Sequence, residues 1–257
     1  MTAPQQPGNR APLVIGVLVG VLVVAAALVG VGYAVGHDTS DDSNGSATLK
    51  APPLQTPPEV ALPSPTPAAT AVPGTCTYTP SGVAAKPAKT PPAKPRTTGT
   101  QTATLTTNRG TITLQLLDSA APCTVNSFVA LVHDQYYDET TCHRLTTSGI
   151  YVLQCGDPTG TGSGGPGYQY ADENLDGATY PAGTVAMANA GPGTNGSQFF
   201  LVYKDTQLPP SYTPFGRITG GLDVIRTIAA GGTDDSGGAG DGAPKLATRI
   251  TKVTVTG

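Results

Sequence analysis

Residues 187–200, with the sequence MANAGPGTNGSQFF, are the part of the chain best suited to acting on a polypeptide. The small side chains leave the backbone bare and the segment ends on an aromatic residue, features that suit gripping an extended peptide. Composition alone favours an ordinary surface loop, because polar, glycine-rich stretches between apolar runs are usually connections. Two motifs upstream change that interpretation.

The upstream motifs are Cys142-His143-Arg144 and residues 151–157, YVLQCGD. With residues 187–200 they resemble, in the right order, the arginine strand, the aromatic-x-x-Gln-x-Gly-Asp strand and the signature segment of the cyclophilins, the peptidyl-prolyl isomerases. The resemblance covers about residues 101–257. It implies an enzyme that interconverts cis and trans X-Pro bonds in proline-containing polypeptides and so assists their folding.

This chemistry needs no nucleophile, metal or redox centre. Partial double-bond character gives the peptide bond a rotational barrier of about 18–20 kcal/mol, while the two isomers of an X-Pro bond differ little in free energy. An enzyme must bind the amide where water is scarce, hold the acyl oxygen and direct a fixed positive donor at the prolyl nitrogen. Arginine suits this task because it stays charged and its planar fork is preorganised.

The resemblance assigns the catalytic role to Arg144, with Gln154 orienting its guanidinium, and implies no cofactor. Without their neighbours, these residues would be interpreted as an exposed strand arginine and a solvent-facing glutamine. The residues implied to bind substrate are Tyr151, Val152, Ala188, Asn189, Gln198, Phe200, Leu208 and Tyr212. Within this set, Tyr151, Val152, Phe200 and Leu208 would form the proline pocket. The backbone of residues 188–189 would meet the residues before proline as an added strand, with Gln198 completing the floor of that subsite.

The chain departs from the family pattern in three places. Two extra residues lie between Arg144 and Gln154, in the turn at 146–149, and could displace Arg144. Tyr212 stands where many relatives place a histidine, and the chain contains no tryptophan, so we expect cyclosporin to bind weakly at most. Cys142 replaces the aromatic residue usual before His143.

The surrounding pattern predicts a mainly β domain. Residues 102–106 and 111–117 alternate around Asn108-Arg109-Gly110, which predicts a hairpin. A helix should begin at Pro122, and a second is expected near 222–229. Further strands are predicted around 141–145, 150–154, 184–189, 198–203, 213–218 and 250–255. Many short strands with two helices suggest a closed antiparallel barrel, and the resemblance implies eight strands capped by two α-helices.

The rest of the chain predicts a membrane anchor and a tether. Residues 11–36 contain no charged side chain, and at roughly 1.5 Å per residue they would span about 39 Å as a transmembrane helix. A cleaved signal peptide is the alternative. Arg10 precedes this segment and acidic residues follow it, so residues 1–10 should be cytoplasmic and the C-terminal domain extracytoplasmic. Residues 37–100 hold 13 of the chain's 25 prolines and predict a disordered, Pro-rich linker before the isomerase domain at 101–257, with Thr75–Tyr78 able to pin a piece of it onto the folded body.

The four cysteines could form disulfides in a translocated domain. If Arg144 and Gln154 share a face, strand alternation places Cys142 on that face and Cys155 on the other, which disfavours a bond between those two. Cys76 or Cys123 would then be involved instead.

Composition and motifs argue against other functions. A net charge of −3 gives no basic field for nucleic acid. The G-x-G-x-x-G spelling at 160–165 is followed by Pro166-Gly167, so no helix begins there to receive a phosphate. Two alternatives to an isomerase remain: a non-catalytic binding module or chaperone that uses the same groove, and a scaffold that recruits partners through its tether prolines.

Overall fold

The computed structural model describes residues 74–257, which form twelve strands and two helices. The helices are α1 (Pro122–His133) and α2 (Leu222–Ala230). The first six strands are β1 (Thr79–Pro80), β2 (Thr102–Thr107), β3 (Gly110–Leu116), β4 (Thr140–Thr141), β5 (Arg144–Thr146) and β6 (Val152–Cys155). The remaining six are β7 (Tyr168–Gln169), β8 (Thr184–Met187), β9 (Phe199–Val202), β10 (Pro214–Gly220), β11 (Asp241–Gly242) and β12 (Arg249–Thr256).

The local predictions hold where the sequence pattern is strong. Strands β2 and β3 form the predicted hairpin, with Thr107 opposite Gly110 across a two-residue turn. Helix α1 begins at Pro122, as predicted, and buries Val125, Phe128 and Val132 on one face. The missing N–H of proline costs nothing in the first turn, where no intrahelical partner exists.

Ten of the strands form one curled antiparallel sheet in the order β11-β5-β6-β9-β8-β10-β3-β2-β12-β4. The predicted closed barrel is wrong, because the two ends of this sheet, β11 and β4, are not hydrogen-bonded to each other. The predicted strand at 141–145 is broken at Cys142 and His143: β4 pairs with β12, whereas β5 pairs with β6 and β11. Residues 142–143 therefore connect β4, at one end of the sheet, to β5, near the other end, without strand hydrogen bonds between the two ends.

The concave side of the sheet holds the main core. An aromatic group fills its centre, where the Phe128 ring lies 5.1 Å from Tyr137, 5.7 Å from Phe199 and 5.4 Å from Phe215 between ring centroids. Successive strand residues point to opposite faces, so Phe199 belongs to this core while Phe200 belongs to a second apolar cluster on the other face of the sheet.

The chain from residue 74 to 100, which was predicted to be part of a disordered linker, packs on the folded domain. A disulfide joins Cys76 to Cys123 at the start of α1, and the Tyr78 hydroxyl donates to the Cys123 carbonyl at 2.8 Å. Strand β1 pairs with β7, and farther along the Arg96 guanidinium donates to the Gly257 carbonyl at 2.8 Å. The prediction that Thr75–Tyr78 pins this part of the chain is confirmed.

The second disulfide corrects a prediction. Cys142 and Cys155 are bonded, with their Cα atoms 4.0 Å apart, although strand alternation disfavoured this pair. The alternation argument fails because β5 begins only at Arg144, so Cys142 lies outside the ladder. Its side chain turns into the core, where Cys155 also points, and both are buried.

The predicted N-terminus, the predicted transmembrane helix at 11–36 and the linker up to residue 73 lie outside the described residues. Between residues 74 and 257, neither helix is both long and apolar enough to cross a bilayer.

Candidate active site

Strand register brings the predicted catalytic pair into one row with the pocket aromatic. Arg144 on β5 lies opposite Gln154 on β6, Gln154 lies opposite Phe200 on β9, and Phe200 lies opposite Ala186 on β8. Residues directly opposite each other in antiparallel strands present their side chains on the same face. The row therefore places a guanidinium, an amide and an aromatic ring side by side on the convex face.

The two-residue insertion does not disturb this row. The extra length is taken up in the turn after β5, where Gly149 adopts a φ of +72° and the Thr147 N–H donates to the Gly240 carbonyl at 2.7 Å. Arg144 stays directly opposite Gln154. The displacement that the insertion could have caused is absent.

The guanidinium of Arg144 is held by two partners. Its Nε and Nη2 donate to the two carboxylate oxygens of Asp241 at 2.7 and 2.6 Å, and Nη1 makes a longer contact of 3.4 Å to Gln154 Oε1. Two parallel bonds of this kind fix both the position and the plane of a guanidinium. The hydrogen bond to Asp241 raises the pKa of Arg144, and the same bond lowers the pKa of Asp241, so both groups stay charged at neutral pH.

Sequence reasoning missed Asp241. It lies 97 residues beyond Arg144, in a glycine-rich stretch with no apolar periodicity, and it meets the arginine because the short strand β11 adds to the edge of β5. No local signal in the sequence connects the two residues.

A chain of amide contacts continues the row along the groove. Gln154 Nε2 donates to Gln198 Oε1 at 2.9 Å, and Gln198 Nε2 donates to the carbonyls of Gly162 and Gly164, each at 2.9 Å. The amide of Gln154 is thereby fixed with its oxygen towards Arg144. Gln198 therefore connects the row to the glycine-rich loop at residues 160–167.

Asp157 holds the glycine-rich loop through hydrogen bonds to the loop backbone. Its buried carboxylate accepts backbone N–H groups from Thr159 at 2.7 Å, Gly162 at 2.7 Å and Gly164 at 3.0 Å. Burial alone would raise the pKa of Asp157, but these hydrogen bonds outweigh it, and the net pKa is lowered. The Gly-Asp of the YVLQCGD motif is thus the support of the loop rather than a group that faces the groove.

The second apolar cluster lies beside the row. Its buried members on the strands are Val152, Ala186, Phe200 and Val202, with Tyr180 next to them. The partly buried side chains packed against it include Ala188, Leu208 and Tyr212. The rings of Phe200 and Tyr212 meet edge to face at 5.5 Å, so an aromatic pair lies in this cluster, next to Gln154 in the row.

The structure places the Tyr151 ring away from the cluster of Phe200. Its ring lies against Tyr203, at 6.1 Å between centroids, with Lys204 Nζ 4.2 Å from its centre. Tyr151 packs against the main core, whereas its neighbour Val152 belongs to the pocket cluster. Tyr151 precedes the first residue of β6, so its side chain is not constrained to the face that Val152 shares with Gln154.

The backbone at residues 188–189 is only partly free. The Ala188 N–H donates to the Gln198 carbonyl at 2.9 Å, and the Asn189 side chain donates to the Ser211 carbonyl at 2.8 Å. Within residues 74–257, neither the Ala188 carbonyl nor the backbone groups of Asn189 have a hydrogen-bond partner. These groups line a cavity of about 630 Å³ that also reaches Gln154 and Gln198.

Comparison with known proteins agrees with this geometry. The family model described as cyclophilin type peptidyl-prolyl cis-trans isomerase/CLD matches residues 102–255. The chain belongs to this cyclophilin family. The matched range contains the row from Arg144 to Ala186 and Asp241, and it excludes the packed segment at 74–100.

The chain is similar to curated proteins of two mycobacteria and of Streptomyces anulatus. The chain is 47% identical over 195 residues to the probable peptidyl-prolyl cis-trans isomerase B of Mycobacterium tuberculosis (strain ATCC 25618 / H37Rv), covering 69% of this chain and 63% of that protein. For the protein of the same description in Mycobacterium leprae the values are 49% over 193 residues, 68% and 64%. The chain thus spans less than two thirds of the length of these relatives. The peptidyl-prolyl cis-trans isomerase B of Streptomyces anulatus is 45% identical over 148 residues, covering 50% of this chain and 83% of that protein.

Solved structures share the fold. A crystal structure of a Cryptosporidium parvum cyclophilin type peptidyl-prolyl cis-trans isomerase matches with a TM-score of 0.56 and 32% identity, covering 62% of this chain and 99% of that one. The crystal structure in the presence of the dipeptide Ala-Pro matches with a TM-score of 0.54 and 32% identity, covering 61% and 99%.

Proposed function

We propose that this chain is a peptidyl-prolyl cis-trans isomerase that acts on X-Pro bonds of proline-containing polypeptides. The observation that carries the proposal is the row in which Arg144, fixed by Asp241 and Gln154, stands beside the apolar pocket of Phe200. The relatives described above bear the same activity in their names, and the solved structure with Ala-Pro shows that a relative was studied with a prolyl dipeptide.

The geometry performs the reaction by electrostatics and position. The proline ring enters the pocket of Val152, Phe200 and Tyr212, while Gln154 and the free backbone at residues 188–189 hold the residues before it. Rotation about the X-Pro bond localises a lone pair on the prolyl nitrogen, and Nη1 of Arg144 is the guanidinium nitrogen that Asp241 leaves available. Donors already fixed in place cost no reorganisation during the reaction, which is why they lower a barrier efficiently.

The test is a prolyl-peptide isomerisation assay on the purified full chain and its Arg144→Ala variant. Removing one fixed electrostatic donor from an active site typically lowers the rate by about 10²–10³-fold, and we expect a loss of that order in kcat/KM. Arg217→Ala is the matched control, because Arg217 is an exposed arginine on strand β10. A folded wild-type chain that leaves isomerisation at the uncatalysed rate would refute the proposal.

A binding module or chaperone without catalysis is the second candidate. One observation favours it: Asp241 occupies two of the three guanidinium nitrogens of Arg144. NMR exchange spectroscopy on a bound prolyl peptide separates the candidates. Line broadening from binding with no catalysed cis–trans exchange favours the binding module, and exchange cross-peaks that vanish in Arg144→Ala favour the enzyme.

We further propose that the clients are exported or cell-envelope polypeptides and that residues 11–36 anchor the domain outside the cytoplasm. The apolar length and flanking charges of that segment support this, and so do two disulfides in residues 74–257, since disulfides persist mainly in oxidising compartments. In spheroplasts, added protease should degrade the domain while the membrane is intact. Protection until lysis would contradict the orientation.

Cyclosporin should bind weakly at most, because the chain has no tryptophan and carries Tyr212 at the rim of the pocket. The measurement is the inhibition constant in the same peptide assay. A nanomolar constant would show that Tyr212 and its neighbours replace the missing contact.

A further inference from the structure

The segment outside the family match contributes to the groove. Residues 81–83, which precede the matched range by about twenty residues, line the same cavity of about 630 Å³ as Gln154, Gln198 and Asn189. Val83 is 94% exposed, and within residues 74–257 it is the single exposed large hydrophobic side chain. An apolar side chain at the edge of a binding groove is a candidate contact for a ligand.

Val83 is held in place on both sides. The Ser81 N–H donates to the Gly167 carbonyl and the Ala85 N–H donates to the Gly165 carbonyl, each at 2.9 Å. Gly82 has a φ of +66°, and its left-handed backbone turns the chain between these two fixed points. The exposure of Val83 is therefore a feature of a pinned turn at the groove.

The fit of this segment depends on bare backbone beneath it. A Cβ atom at Gly167 would lie 3.2 Å from the Ala84 nitrogen, and one at Gly164 would lie 3.1 Å from the Ala85 methyl. The carbonyls of the glycine-rich loop therefore accept hydrogen bonds from two parts of the chain. Gly162 and Gly164 accept from Gln198, whereas Gly165 and Gly167 accept from residues 85 and 81. The cyclophilin groove and the N-terminal segment share one structural support.

The cavity between the walls is roomy and uncharged. Its lining includes Ser81 and Val83, residues 188–190 and glycines of the loop. None of the lining residues carries a charge. Such a site accepts a large neutral side chain and disfavours a charged one, because a charge would lose hydration without gaining a partner.

We propose that residues 81–83 form one wall of a subsite that takes a large apolar side chain from the substrate, at the second or third residue before the proline. The proposal rests on the proposed function, which places the proline beside Phe200 and the preceding residues along Gln154 and Asn189. A chain extended in that direction reaches the cavity next to Val83, so Val83 is a specificity-determining residue.

The test uses the full chain and a peptide series with Ala, Leu, Phe or Glu at the second or third residue before the proline. Wild type should prefer Leu and Phe over Ala by roughly 5-fold or more in kcat/KM, the order expected for partial burial of one apolar side chain. Val83→Asp should abolish this preference while leaving the rate on the Ala peptide within about twofold. Thr90→Asp is the matched control, because it adds the same charge at an exposed residue of the segment that does not line the cavity.

The NMR resonances of the Val83 methyl groups measure binding at the subsite independently of turnover. The Val83 methyl resonances should shift on addition of the Phe peptide more than on addition of the Ala peptide. An active wild type with no side-chain preference, or a preference unchanged in Val83→Asp, overturns the subsite while the proposed isomerase stands. If no peptide is isomerised, the proposed isomerase activity is refuted. The methyl shifts alone then decide whether the subsite binds the apolar side chain.

Discussion

The groove has two ends that are built by different means. At the proline end, Arg144, Gln154 and Phe200 stand on neighbouring strands whose ladder fixes their spacing. At the other end, Val83 stands on a short segment that a disulfide and two flanking backbone hydrogen bonds hold against a glycine-rich loop. In the proposed function the strands position the groups that act on the X-Pro bond, whereas the segment around Val83 is not part of these strands. Chemistry and side-chain preference should therefore respond to different substitutions.

The largest expected effects come from the two disulfides. In the chain-entropy model, a bridge between residues 47 apart contributes about 4 kcal/mol to the free energy of unfolding and one between residues 13 apart about 3 kcal/mol. Losing Cys76–Cys123 by double serine substitution should also remove the preference for Leu and Phe peptides and spare turnover of the Ala peptide. Losing Cys142–Cys155 should slow every peptide, because its cysteines lie beside Arg144 and Gln154.

Denaturant unfolding and the peptide series measure both effects. The two double variants are controls for each other, since each removes one disulfide. Equal slowing of all peptides in the Cys76→Ser/Cys123→Ser variant would contradict the separation of the two ends. It would show that the segment around Val83 also supports Arg144 and Gln154.

Asp241 offers a smaller and more local change at the proline end. Asp241→Ala frees Nε and Nη2 of Arg144, and the guanidinium then samples other orientations. We expect kcat to fall by about 10-fold with KM little changed, because fixed orientation matters most in the transition state. Asp241→Asn, which still offers one oxygen, should recover part of the loss. A rise in kcat would mean instead that the ion pair restrains Arg144 from acting.

The smallest expected effect is a difference in acid sensitivity. The Asp241 pKa lies below its ordinary value because Arg144 hydrogen-bonds the carboxylate. A lowered folded-state pKa gives stability that is present above the ordinary pKa and lost as pH falls through the folded value. The wild-type free energy of unfolding should thus decline below about pH 4 more steeply than that of Asp241→Asn.

Urea unfolding between pH 2 and 6 measures this prediction. Both proteins keep His143, whose pKa burial lowers, and Asp157, whose pKa is lowered by its hydrogen bonds. The difference between the two profiles therefore isolates Asp241. Parallel profiles would show that the Arg144–Asp241 pair contributes nothing measurable to stability.

Much of the site could be predicted because its parts follow local patterns. The strands carrying Arg144 and Gln154 could be located from their motifs, and helix α1 from the recurrence of apolar residues after Pro122. The family motif grouped Tyr151 with Val152, but Tyr151 precedes strand β6 and its ring lies against Tyr203. The disulfide prediction failed because strand alternation was extended to Cys142, which precedes strand β5.

The sequence by itself determined the family, the hairpin and the helices, and it singled out Arg144 and Gln154 as a pair, since each depends on residues close together in the chain. The tertiary structure alone decided that Asp241 holds Arg144 from 97 residues away, that Cys142 meets Cys155, that the sheet stays open and that Val83 borders the groove. Contacts of this kind depend on the path of the whole chain, and spacing along the sequence carries no information about which distant segments meet.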